Sequence, residues 1–267
     1  MIRLQLISAS MAALAMISGT GNAQEPAGDD KGAAIAREAD RRDQGYGDSK
    51  ADLKMILQDR QGRTRERRLR IWTLEVPDAA QGDKSLVVFE TPRDIEGTAL
   101  LSYAHILEPD DQWLYLPALK RVKRISSINK SGSFVGSEFA YEDITGQEFG
   151  KYSYKWLRDE PCGELECYVV ERRPRYENSG YSRLVTWYDQ AEYRVQRVDY
   201  YDRDGEYLKT LTSSDYRQYL GKYWRPHLLV MDNKQTGKTT RLIYKNYEFQ
   251  TGLSDSDFTR SRLKTVH

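Results

Sequence analysis

From Asp52 to Phe249 the chain is a succession of short apolar or alternating runs parted by turns rich in Gly, Pro and Asp. Regular turn signals between β-rich runs favour an antiparallel meander in which each strand pairs with its chain neighbour. Leu53, Met55 and Leu57 alternate with polar residues, and Asp59-Arg60-Gln61-Gly62 makes a turn. Arg63 to Val76 is a long strand with Leu69 and Ile71 on one face and Trp72, Leu74 and Val76 on the other. Leu86–Phe89 and Ala99–Ile106 follow. The C-terminal half predicts strands at Tyr152–Leu157, Glu166–Arg172, Ser182–Tyr188, Tyr193–Tyr201, Tyr207–Tyr216, Lys222–Asn233 and Thr240–Phe249. Asp204-Gly205 and Thr236-Gly237 serve as two-residue hairpin turns. Ala33 to Asp43 predicts a short amphipathic helix, and Ser254 to Arg260 a final one. The expected fold is mainly β (α+β): a single curved antiparallel sheet of about ten strands with two or three short helices. Curled, such a sheet leaves a concave face for the helices to cover.

The first residues have the composition of an export signal. Arg3 is a positive start, Leu4 to Ile17 is mostly apolar, and Gly21-Asn22-Ala23 puts small residues where a signal peptidase reads. Residues 1–23 are expected to be removed after Ala23, since the apolar run is short for a membrane anchor. Residues 24–50 are expected to be a flexible lead-in with the helix, and residues 51–267 a single binding domain. Loss of Arg3 takes the 41 basic residues to 40, against 40 acidic ones. Nucleic-acid binding through net charge is therefore disfavoured. Cys162 and Cys167 bracket Gly-Glu-Leu-Glu, a length that a hairpin closes as a local disulfide in an oxidising compartment. No further ligands stand near them for a metal.

Asp110 to Thr145 combines three chemistries. Trp113-Leu114-Tyr115-Leu116 is apolar on both faces, Lys120-Arg121-Val122-Lys123-Arg124-Ile125 is dominated by cations, and a glycine-punctuated loop then leads to Phe139 and Tyr141. Ser137 is placed to cap that last segment. The cationic run has two readings: a solvated edge that resists aggregation, or a basic lip for lipid phosphate or an acidic partner. No catalytic set assembles. His105 and His227 fall within strands, Gly132-Ser133-Phe134-Val135-Gly136 is out of frame for a nucleophile elbow, and Thr236-Gly237-Lys238-Thr239 lacks the first glycine of a phosphate loop. Asp202, Asp204 and Gly205 lack the first and twelfth ligands of a calcium loop. No enzyme activity, metal or cofactor is expected.

Asp110–Ile125 closely resembles the signature run of LolA-like outer membrane lipoprotein-sorting proteins. Ser131–Asp143, Lys84-Ser85-Leu86, Gly97-Thr98-Ala99-Leu100-Leu101, Trp224-Arg225-Pro226 and Thr236-Gly237-Lys238-Thr239 also match. The resemblance implies an unclosed β-barrel wrapped around short helices, with an apolar cavity for acyl chains. It implies a monomeric periplasmic carrier of lipid or lipoprotein that touches membrane surfaces transiently and accompanies an inner-membrane transporter of the resistance-nodulation type. No position here matches the lid arginine of the lipoprotein carrier itself. The expected lining is Met55, Leu57, Trp72, Leu74, Val87, Phe89, Leu101, Trp113 and Tyr115, with Phe134, Phe139 and Tyr141 as lid or rim. Lys120, Arg121, Lys123 and Arg124 would meet a headgroup or partner. The alternative is a periplasmic adaptor that grips a membrane protein through the basic lip and carries no lipid.

Overall fold

The computed structural model describes residues 28–78 and 81–266. Helix α1 (Gly28–Asp43) precedes strands β1 (Asp48–Gln58), β2 (Thr64–Leu74), β3 (Gln81–Thr91), β4 (Ala99–His105), β5 (Asp111–Leu116) and β6 (Arg121–Ile125). After a long connection come β7 (Tyr152–Cys162), β8 (Leu165–Pro174), β9 (Tyr181–Asp189), β10 (Val195–Asp202), β11 (Tyr207–Tyr219), β12 (Tyr223–Asn233) and β13 (Lys238–Phe249). All thirteen belong to one antiparallel sheet in the order β6-β5-β4-β3-β2-β1-β13-β12-β11-β10-β9-β8-β7. The expected class holds, with thirteen strands rather than about ten. The proposed signal segment, residues 1–23, lies outside the described residues.

Every spatial neighbour is a chain neighbour except β1 and β13, which meet at the centre in a register that sets Met55 opposite Leu242. A buried clasp fixes this seam. Asp48 accepts from the Thr251 amide at 2.8 Å, the Thr251 hydroxyl at 2.6 Å and the Gly252 amide at 3.2 Å.

One core cluster draws Leu53, Met55, Leu69, Phe89, Leu100 and Leu114 from β1–β5. It draws Tyr154, Val170, Leu184, Val198, Met231 and Leu242 from β7–β13. Strands that far apart in a sheet share a cluster only if the sheet curves around it, so this is the concave face. Ile35 and Ala36 of α1 enter the same cluster. The helix lies tight against β7 at Gly32, where an added Cβ would stand 2.4 Å from the Trp156 backbone nitrogen. Asp29 and Asp30 in its first turn and Arg41 and Arg42 in its last complement the helix dipole. On the convex side, Phe258, Leu263 and Val266 cover β2–β5. The predicted C-terminal helix is instead two 3-10 turns, Asp255–Asp257 and Arg262–Lys264, within this outer strap. The Cys162–Cys167 disulfide closes the β7–β8 hairpin.

The sheet does not close. Strands β6 and β7 are its two edges, and the connection from 126 to 151 leads from one to the other. This connection is a plug of short 3-10 turns pinned by buried charge. Lys209 Nζ donates to Asp143 at 2.7 Å and to the Glu138 carbonyl at 2.9 Å. The Lys209 and Asp143 side chains are 4% and 5% exposed. Lys151, equally buried, meets Asp110 at 2.9 Å and Glu148 at 3.1 Å. Tyr181 donates to Asp143 at 2.8 Å, and Arg67 donates to the Val135 carbonyl at 2.6 Å. Removing one partner of a buried pair strands the other charge, at about 3–5 kcal/mol. Asp143→Ala is expected to lose roughly that much in urea unfolding, whereas the double variant Asp143→Leu/Lys209→Met recovers most of it.

Candidate functional site

A cavity of about 1460 Å³ lies on the concave face. Its floor is built from inward-facing positions of β8–β13, among them Tyr188, Val198, Tyr200, Leu211, Ser213, Tyr244 and Tyr247. Ile71 and Thr73 extend it onto β2, and Ala36, Ala39 and Asp40 of α1 stand opposite. Residues 75–78, 81–83 and 146–150 border it.

The lining is tyrosine-rich because β7–β13 alternate tyrosines inward, each supplying an apolar ring with a polar tip. Several tips are occupied: Tyr154 donates to the Phe149 carbonyl at 2.8 Å and Tyr216 to the Val195 carbonyl at 2.5 Å. Burial holds the Tyr154, Tyr188 and Tyr200 hydroxyls above their ordinary range and pushes Tyr244 up to about 12. They remain neutral donors. His227 is structural in its contacts, with one ring nitrogen 2.8 Å from the Tyr219 hydroxyl and the other 2.9 Å from the Tyr244 carbonyl. Among the described residues, no group of three or more His, Cys, Asp or Glu side chains comes together to hold a metal.

The residues expected to line the cavity lie elsewhere. Met55, Leu57, Val87, Phe89, Phe134, Phe139 and Tyr141 do share the concave cluster, but at the plugged end. There Phe134 packs 5.7 Å from both Phe89 and Tyr141, ring centre to ring centre, and fills the space. Trp72, Leu74, Leu101, Trp113 and Tyr115 stand on the convex face beneath the C-terminal strap. Side chains alternate along a strand; Leu69 and Ile71 face one way and Trp72 and Leu74 the other, and Trp113–Leu116 is apolar on both faces, so composition did not choose between them. Lys120, Arg121, Lys123 and Arg124 are exposed on or beside the edge strand β6, with Arg124 paired to Asp111. The missed lining had one signal, the 19 tyrosines. Tyr154, Tyr188, Tyr200 and Tyr244 all sit in predicted strands.

A single antiparallel sheet of thirteen strands that curves without closing around a plug is a LolA-like half-barrel fold. A crystal structure from Vibrio parahaemolyticus, named as an outer membrane lipoprotein-sorting protein domain, is 51% identical over 88% of this chain and 99% of that one, with a TM-score of 0.85. A DUF1329 family protein from Desulfovibrio piger is 29% identical over 89% of this chain and 99% of that one, with a TM-score of 0.83. A LolA superfamily protein from Nitrosomonas europaea shares the fold at 21% identity, with a TM-score of 0.70 and coverage of 86% and 97%. A family model described as an uncharacterized protein matches residues 81–265. No curated protein matches. The chain belongs to the LolA-like outer membrane lipoprotein-sorting family.

Asp83 borders the cavity with an unusual carboxyl. Burial pushes it up to about 6, with Glu148 and Glu75 adding repulsion, against hydrogen bonds from the Val76 amide and the Tyr46 hydroxyl. Between the ordinary carboxyl range and that value the folded protein holds a proton the unfolded chain has released. Stability therefore falls as pH rises from about 4 to about 6, by roughly 2–3 kcal/mol from this group. Asp83→Asn is expected to flatten that part of a Tm-against-pH curve, and an unchanged slope would show that Asp83 does not set it.

Proposed function

We propose that this protein is a periplasmic carrier that binds the apolar chain of a lipid or lipoprotein in its concave cavity, without catalysis. The observation that carries the proposal is a hollow of about 1460 Å³ inside a half-barrel that is otherwise packed. Burial drives such binding: each methylene withdrawn from water contributes about 0.8 kcal/mol, so an acyl chain needs no reacting group to hold it. The Vibrio relative's assignment to lipoprotein sorting supports the same reading. So does the export signal expected at residues 1–23. Among the described residues no helix is long and apolar enough to cross a membrane.

The cargo would pass to or from an inner-membrane transporter of the resistance-nodulation type, with transfer towards the outer membrane. The exposed edge around Lys120, Arg121 and Lys123 is the surface for that partner or for lipid headgroups. Leu119, 62% exposed, and Ile128, 69% exposed, flank it with apolar area. The adaptor alternative draws on the same edge, but it leaves the cavity without a purpose.

Ala39→Trp, on the helix face across the cavity, fills the hollow without altering a strand. Native mass spectrometry of detergent-free periplasmic protein is expected to find lipid at near one-to-one on the wild type and little on this variant. A wild type that is empty and takes up no added lipid would favour the adaptor, and charge reversal at Arg121 and Lys123 would then be the damaging change.

A further inference from the structure

Five arginines line the cavity: Arg41, Arg42, Arg172, Arg194 and Arg225. Four have carboxylate partners, with Arg41 and Arg42 on Glu38, Arg194 on Asp189 and Arg225 on Asp43. Arg172 has none among the described residues, and its Nε has no hydrogen-bond partner. Yet it is only 7% exposed. Its sheet partners Tyr154 and Leu184 both belong to the concave cluster, so its side chain enters the barrel. One face of its guanidinium packs 4.9 Å from the Tyr152 ring centre. Tyr154, Tyr188 and Tyr200 surround it. Of the two acids that α1 brings to the cavity, Asp43 pairs with Arg225, and Asp40 is engaged by the Gln44 amide at 2.6 Å and by the Phe149 backbone.

A guanidinium stays charged at any physiological pH, and burying it unpaired is costly. Its planar fork matches carboxylate and phosphate oxygens. The neutral tyrosines add no competing negative charge.

We propose that Arg172 is the headgroup anchor of this cavity and that the cargo is an anionic amphiphile. Its carboxylate or phosphate docks on the guanidinium, and its tail lies along Val198, Leu211 and Tyr244. The inference rests on the carrier reading and narrows it: a wholly neutral acyl anchor would leave Arg172 unpaired.

The test is isothermal titration of the full mature protein with palmitate, dodecyl phosphate, hexadecanol and inorganic phosphate. The wild type is expected to bind palmitate and dodecyl phosphate at least about tenfold more tightly than hexadecanol, the scale of one charge-assisted hydrogen bond. Arg172→Met is expected to erase that preference while keeping hexadecanol binding. Arg172→Lys keeps the charge and retains part of the preference, so a Met variant that fails to fold does not protect the idea. Equal binding of the charged and neutral chains by the wild type would overturn the anchor and leave the carrier standing. Binding of inorganic phosphate but of no long chain would overturn the amphiphile and the carrier together, leaving a small-anion site. Binding of nothing would overturn both proposals.

Discussion

The buried ion pair between Lys209 and Asp143 holds this architecture in its working shape. An open sheet with two free edges has no hydrogen bonds to keep those edges in place, and its concave face would be wet. The connection between the edges solves both problems only if it is fixed inside the curve. Lys209 reaches it from the middle of one half-sheet, while Lys151 ties its end to Asp110 beside β5 of the other. The pairs span the opening where strand pairing does not. Their desolvation cost is accepted because each charge is multiply bonded.

That plug also decides where the cavity is. It brings Phe134, Phe139 and Tyr141 into the β1–β6 end and packs them on Met55 and Phe89. The space left over is at the other end, beneath α1 and against the tyrosine-bearing strands. Filling one end and leaving the other hollow are thus two results of the same loop.

Most of the strand order was legible in the sequence, because turn residues and alternation mark antiparallel neighbours directly. The β1–β13 pairing was not, since nothing local in Leu53-Lys54-Met55 names Leu242 as its partner. The site was the least legible part. Trp113 and Tyr115 have the composition of a lipid-facing strand, but a buried convex face under a strap demands the same residues. Arg172 looked like any strand cation. Its meaning comes from a missing partner, which only the packed structure reveals.

The Asp48 clasp and the central seam bear on how the molecule is made. Both half-sheets are built from hairpins of near neighbours, which form early because little loop entropy is lost. The seam joins segments from opposite ends of the chain and has no partner strand until β13 is present. A chain emerging N-terminus first therefore carries β1 as an unsatisfied edge through nearly the whole of its synthesis. Lys50, Asp52 and Lys54 along that strand place charge among its apolar residues, a protection against wrong pairing during the wait.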